Sequence, residues 1–201
     1  LGGGTALTVR GRSMMGGCLL GLAVIKPQFG ILVPLALIGS QQWRAFGAAC
    51  ATILVLSLAA TFAFGLQVWS DWWHVTQSVE QIMSAGAVGY AKMISLFAGL
   101  RLLGVPNDIA LAAQFALSLL VALAVVMVAA RRGFTIETGA VLLCGAMLAT
   151  PFAFDYDLVL LAFPLALLVQ SGAGLPLERI TVLIAVIMPS LARSLAILGH
   201  V

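Results

Sequence analysis

No charged residue falls between Arg44 and Asp71, and none falls between Asp108 and Arg131. Each gap exceeds the roughly 20 apolar residues that an α-helix needs to cross the hydrocarbon of a bilayer. Inside lipid the backbone has no water to bond, so a continuous apolar run survives there as a helix. The rest of the chain agrees with that constraint. It is 62% hydrophobic and 8% charged, against roughly 25% charged residues in a soluble domain. Ten Lys+Arg and seven Asp+Glu are too few to wet the surface of a 201-residue globule. The expected fold class is therefore all-α: a polytopic transmembrane helix bundle forming a single domain over 1–201. The net charge of +3 is scattered rather than clustered, which argues against a nucleic-acid partner. Cys18, Cys50 and Cys144 lie in apolar runs without metal-ligand spacing, so no metal is expected. The signatures of common soluble enzymes, such as a phosphate-cradling Gly-rich loop, HExxH or GxSxG, are absent.

The first apolar stretch is interrupted. Residues 14–25 are apolar, Lys26-Pro27-Gln28 intervenes, and 29–39 are apolar again. Proline lacks an N–H and disfavours helix at the residue before it. Two short helices meeting at a polar break are expected, the first starting near Val9; one kinked helix is the alternative. Further spans are expected over 43–64, 107–130, 138–154, 158–170 and 180–198. Gly17 and Gly21 form a GxxxG pattern, which marks close helix packing. Pro34, Pro164 and Pro189 fall inside apolar runs, where they are expected to kink helices. The chain opens at Leu1 on a glycine-rich stretch without a signal-peptide pattern, which reads as the C-terminal part of a longer protein.

Orientation follows the cytoplasmic bias of Lys and Arg in short loops. With Arg10 and Arg12 inside, threading the spans puts Arg44, Arg131, Arg132 and Arg179 inside as well. Lys26, Lys92, Arg101 and Arg193 then fall at or near the other side, with Asp71, Glu80, Asp108, Asp155 and Asp157. Residues 65–106 become one long extracytoplasmic loop. Within it, 67–83 carries Trp69, Trp72, Val75, Val79 and Ile82 at helical spacing and polar residues between them, the pattern of an amphipathic helix lying in the membrane interface. A second short helix is expected over 95–103, and Gly86 and Gly89 give a flexible stretch between the two. Asn107 or Asp108 is placed to cap the next helix.

Three polar features thus share the outer face. Lys26 stands at a helix break, where a cation is costly in lipid and functional by default. It can hold a phosphate or pyrophosphate, with the Gln28 amide beside it; a snorkelling lysine is the simpler alternative. Asp155 and Asp157 flank Tyr156. Two carboxylates there can bind a cation, hold sugar hydroxyls, or act as acid and base; helix capping accounts for one of them. His74 lies on the polar face of the amphipathic helix. Arg101 and Lys92 can meet a phosphate or anionic headgroups.

Lys26-Pro27-Gln28 after an apolar run, a stretch closing at Trp43-Arg44-Ala45, and Thr150-Pro151-Phe152-Ala153-Phe154-Asp155-Tyr156-Asp157 before another span together resemble glycosyltransferase family 87. This is a membrane-embedded GT-C family that includes polyprenyl-phosphate-mannose-dependent α-mannosyltransferases. The resemblance covers roughly residues 10–170 and differs at Tyr156 and Asp157, where many relatives carry histidine after the motif acid. It implies a GT-C-like bundle in a bacterial inner membrane, a polyprenyl-phosphate sugar as donor, a glycolipid or glycan as acceptor, membrane lipids as partners, and no further cofactor. It also implies donor-phosphate binding at Lys26, Gln28 and Arg101, and sugar or acceptor binding at Asp155, Tyr156, Asp157 and His74. The family's general base belongs to an earlier outer loop, so the catalytic residue is expected outside this chain. Residue patterns alone leave a transporter or lipid flippase and a non-catalytic membrane subunit as the alternatives; no internal repeat favours the transporter.

Overall fold

A computed structural model describes residues 1–85 and 89–170 of the chain. The described residues are mostly helical, and no strand is found among them. In chain order they form α1 (Gly2–Val9), α2 (Ser13–Gly21), α3 (Pro27–Gly30), α4 (Val33–Gly39), α5 (Trp43–Phe64), α6 (Gln67–Ser84), α7 (Leu96–Leu102), α8 (Asn107–Arg132), α9 (Ile136–Ala149) and α10 (Ala162–Gln170). Short 3-10 turns at Leu22–Ile25, Tyr90–Lys92 and Asp155–Leu161 join them. The expected span over 180–198, with Arg179 and Arg193, lies outside the described residues, as does Gly86.

Among the described residues two helices, α5 and α8, are long and apolar enough to cross a membrane. Both end where a glycine takes positive φ, Gly65 at 79° and Gly133 at 69°, a conformation that other residues adopt only with strain. The remaining apolar helices are shorter. The run expected over 138–154 stops at Ala149, because Pro151 disfavours helix at Thr150. The run from 158 divides into the 3-10 turn and α10. Pro34 opens α4 instead of kinking it, since its missing N–H is not needed in a first turn.

The beginning of the chain departs from expectation. Residues 2–9 are a helix of their own, separated from α2 by Gly11 at φ 78°. Glycines on its two neighbours let α1 nest between them: a side chain at Gly16 of α2 would strike Thr8, and one at Gly139 of α9 would strike Thr5. The GxxxG pattern does pack closely. A Cβ on Gly17 would lie 2.1 Å from the Ala45 carbonyl oxygen, and one on Gly21 would lie 2.6 Å from that of Ala49. Positions 17 and 45 and positions 21 and 49 therefore pair in the same order, and α2 runs parallel to α5. The core beside this seam is aliphatic: Leu20, Leu32, Val33, Ala36, Leu37, Val125 and Leu142.

Helix α6 leaves the bundle. Its described side chains are exposed apart from half-buried Val68, and Trp69 Nε1 donates to Thr61 Oγ1 of α5 at 2.9 Å. Trp69, Trp72, Val75, Val79 and Ile82 lie uncovered. Helix α8 starts at Asn107 itself, with Pro106 at the cap position and no side-chain cap; Asp108 contributes only its charge to the first turn.

Candidate functional site

Pro27 sets the site up. Helical structure from α2 continues through Leu22–Ile25, then Lys26 leaves helical geometry (φ −128°, ψ 78°) and Pro27 starts α3. Proline is well suited to a first helical position and forces the preceding residue towards extended backbone. The break falls at Lys26 as expected, but the helix before it starts at Ser13 rather than near Val9, and the stretch after it divides into α3 and α4. The break aims the Lys26 side chain across the bundle, where its Nζ bonds Asp157 Oδ1 at 2.5 Å.

The acidic turn is held from three directions. Thr150-Pro151 ends α9, and the chain then runs extended past residues 93–95. Ile94 N–H donates to the Ala153 carbonyl at 2.9 Å, Ser95 Oγ donates to the Pro151 carbonyl at 2.5 Å, and Met93 forms an antiparallel bridge with Phe154. Phe97 is fully buried and meets Tyr90 and Phe152 edge to face. Below this clasp, Gln114 of α8 is buried with its amide engaged at both ends. Its Oε1 accepts from Phe97 N–H at 3.1 Å, and its Nε2 donates to the Leu148 carbonyl at 2.9 Å. Ser118 Oγ donates to the Ala149 carbonyl at 2.6 Å. A glutamine in the middle of an apolar run was the signal for this network, and the sequence reading did not use it.

Asp157 has both carboxylate oxygens occupied within the protein. Oδ1 takes Lys26, and Oδ2 accepts from Phe154 N–H at 3.2 Å. The Asp157 side chain is 6% exposed and that of Lys26 is 44% exposed. The hydrogen bond from Lys26 to Asp157 raises the Lys26 pKa above its ordinary 10.5, against the opposing effect of partial burial; the Asp157 charge and Tyr156 add to the rise. Lys26 Nζ also lies 4.4 Å from the Tyr156 ring centroid and 5.7 Å from that of Phe29. Phe154 stacks on Tyr156 with the planes 7° apart. The ammonium is thus seated by a carboxylate and two aromatic rings at the edge of a cavity of about 340 Å³, which Leu22, Ile25 and Val159 also line. An ammonium carries three N–H donors. One of them is bound to Asp157.

The other expected site residues are placed differently. Asp155 is exposed and accepts its neighbour Tyr156 N–H at 2.8 Å. Gln28 lines a separate groove with Thr150, Pro151 and Ser118, of about 420 Å³. Arg101 Nε donates to Tyr90 Oη at 3.2 Å, and its Nη1 donates to the Val105 carbonyl at 2.7 Å, which ties it to the α7 loop. His74 is exposed on α6. Lys26, Tyr156 and Asp157 are therefore brought together, while Gln28, Arg101 and His74 line no part of their cavity.

Comparison with known proteins bears on this arrangement. No curated protein and no solved structure matches the chain. The profile of glycosyltransferase family 87 matches residues 1–154, which takes in the Lys26 break and the clasp around Phe152 and stops one residue before the acidic turn. That span is more than half of the sequence, and membership implies glycosyltransferase activity in general. On this match, with the apolar helices that accompany it, the chain belongs to glycosyltransferase family 87.

Proposed function

We propose that this chain forms the donor-binding part of a multi-pass membrane glycosyltransferase with a GT-C-like helix bundle. It takes a sugar, of the mannose class, from a polyprenyl-phosphate carrier and passes it to a glycolipid or glycan acceptor on the outer face of a bacterial inner membrane. The observation that carries the reading is the Lys26 ammonium, half-exposed at a helix break beside a cavity. A lone cation at such a position suits a phosphate monoester or diester as a point charge. Its charge opposes the negative charge that grows on the leaving phosphate as the bond from sugar C1 to the phosphate oxygen breaks. The bond from C1 to the acceptor oxygen forms in its place. The acceptor's proton passes to a carboxylate that the family pattern assigns to an earlier outer loop. Asp157 acts as a positioning residue, because both of its oxygens are committed. Asp155, whose side chain faces outward, is the carboxylate open to acceptor or sugar hydroxyls. The uncovered Trp69, Trp72 and Ile82 of α6 suit a surface resting in the lipid interface, along which a lipid-linked donor arrives.

Donor titration and initial rates on the full-length enzyme test this. Lys26→Ala is expected to weaken donor binding by about tenfold to a hundredfold, the range for charge-assisted hydrogen bonds worth about 1.5–3 kcal/mol. Lys26→Arg should recover part of that affinity. Asp155→Asn should slow transfer with donor affinity kept. Unchanged donor affinity in folded Lys26→Ala would reduce the lysine to a helix-end anchor and end the proposal.

A further inference from the structure

We infer that the opposite end of the molecule holds a second site, a basic pocket between the starts of α2 and α5 that binds the headgroup of an anionic phospholipid. Because α2 and α5 run parallel through the Gly17 and Gly21 seam, both helices begin side by side. Ser13 Oγ donates to Gln42 Oε1 at 3.3 Å and ties the two beginnings together. Arg12 and Arg44 line one pocket there, of about 380 Å³, with Gly11, Ser13, Met14 and Met15.

Among the described residues no carboxylate pairs with either arginine of this pocket. Neither helix has an acidic residue in its first turn. Among the described residues the one ion pair is Lys26–Asp157, at the far end of α2. Arg10 stands within two residues of the pocket, and α4 brings Gly39 against Ala129 and Ala130, so Arg131 and Arg132 reach the same end. Two guanidiniums that line one pocket without a carboxylate partner suit a phosphodiester.

The rim distinguishes a lipid from a soluble phosphate. Met14 and Met15 line the pocket and are more than half exposed; Trp43 is exposed to a similar degree where α5 begins, and Leu19 of α2 and Leu22 of the turn after it continue the uncovered apolar surface. A soluble anion gains nothing from that surface, whereas acyl chains below a bound headgroup would cover it. Basic pockets between membrane helices on the cytoplasmic side recognise anionic headgroups in this manner. The inference stands apart from sugar transfer, since it requires only that α5 lies in a bilayer, and its test reads lipid binding rather than turnover.

The experiment titrates the purified full-length protein in a zwitterionic detergent with phosphatidylglycerol, phosphatidylcholine or soluble glycerol 3-phosphate, and reads bound lipid by native mass spectrometry. Phosphatidylglycerol should bind at least tenfold more tightly than the other two. Arg12→Gln and Arg44→Gln should each remove most of that preference, Arg44→Lys should keep part of it, and Arg131→Gln, at the same end but outside the pocket, should leave it intact. Equal binding of phosphatidylglycerol and phosphatidylcholine would overturn the proposal. So would glycerol 3-phosphate binding as tightly as the lipid, or wild-type preference in the doubly substituted Arg12→Gln/Arg44→Gln protein. The wild-type titration decides the matter even if a variant fails to fold.

Discussion

Removing one partner of the Lys26–Asp157 pair should cost unequal amounts depending on which is removed. Asp157 is nearly buried and Lys26 is half-exposed. Lys26→Ala leaves a buried carboxylate with only Phe154 N–H to satisfy it. Stranding one charge of a fully buried pair costs about 3–5 kcal/mol. Solvent reaches the lysine end, so screening lowers the expected loss to about 2–3 kcal/mol. Asp157→Ala instead frees a lysine that can turn to water. It loses an ion pair worth about 0–1 kcal/mol and a cap worth about 0.5–2 kcal/mol, for an expected loss of about 1–2 kcal/mol. The double variant Lys26→Ala/Asp157→Ala should be more stable than Lys26→Ala alone, because it removes the stranded charge. Denaturant unfolding in detergent micelles, followed by tryptophan fluorescence, measures all three. The pH dependence has a definite sign. Since the folded-state Lys26 pKa is raised, its stabilising contribution is complete below the ordinary lysine value and is lost as pH rises through the raised one. As far as Lys26 is concerned, the pair should therefore be indifferent to pH around neutrality and weaken in strong alkali. A larger loss in Asp157→Ala than in Lys26→Ala, or single losses that simply add in the double variant, would refute the reasoning.

Gly17→Ala places a methyl group 2.1 Å from the Ala45 carbonyl oxygen, a backbone atom that cannot turn aside; it should destabilise by at least about 1–3 kcal/mol. Gly47→Ala, on the same helix but away from the seam and facing open space, should leave the melting temperature nearly unchanged. Gln114→Leu should leave Phe97 N–H and the Leu148 carbonyl without their partner, at about 1–3 kcal/mol for each group stranded in an apolar setting. Faster hydrogen exchange at the Phe97 amide is the specific sign; protection equal to that of the parent protein would show that the glutamine does not hold α7 to α9.

The long helices and the helix break were legible because their causes are local. Charge-free runs fix α5 and α8, and Pro27 acts on Lys26, its immediate neighbour. The amphipathic α6 was legible for the same reason, since its tryptophans and polar residues alternate at one helical period. What escaped the sequence depended on which side chains face each other across the fold. The resemblance grouped Gln28 and Arg101 with Lys26, yet Gln28 turns to another groove and Arg101 is spent on Tyr90 and Val105. Asp155 and Asp157 stand two residues apart and were read as a pair. The 3-10 turn points them into different settings, one in solvent and one against Lys26. Helix α1 was missed because three consecutive glycines argue against helix on propensity alone. Close packing against Gly16 and Gly139 decides otherwise.

The separation of the two ionised partners has a consequence for how the site is maintained. Lys26 and Asp157 lie 131 residues apart, so no local segment contains the site. Lys26 is carried by α2, which is registered on α5 through Gly17 and Gly21. Asp157 is carried by the end of α9, which is registered on α8 through Gln114 and Ser118. Helix α1 contacts both supports, Gly16 of α2 through Thr8 and Gly139 of α9 through Thr5. A shift at any of these glycine or glutamine contacts moves one partner relative to the other, and an ion pair is sensitive to such a shift because its energy falls steeply with distance near a low-dielectric wall. Tyr156 adds a second reason for fixed geometry. Phe154 stacks on its ring and the Lys26 ammonium lies over it, so the ring helps to seat the cation and leaves the cavity side of Lys26 as the open face of the site.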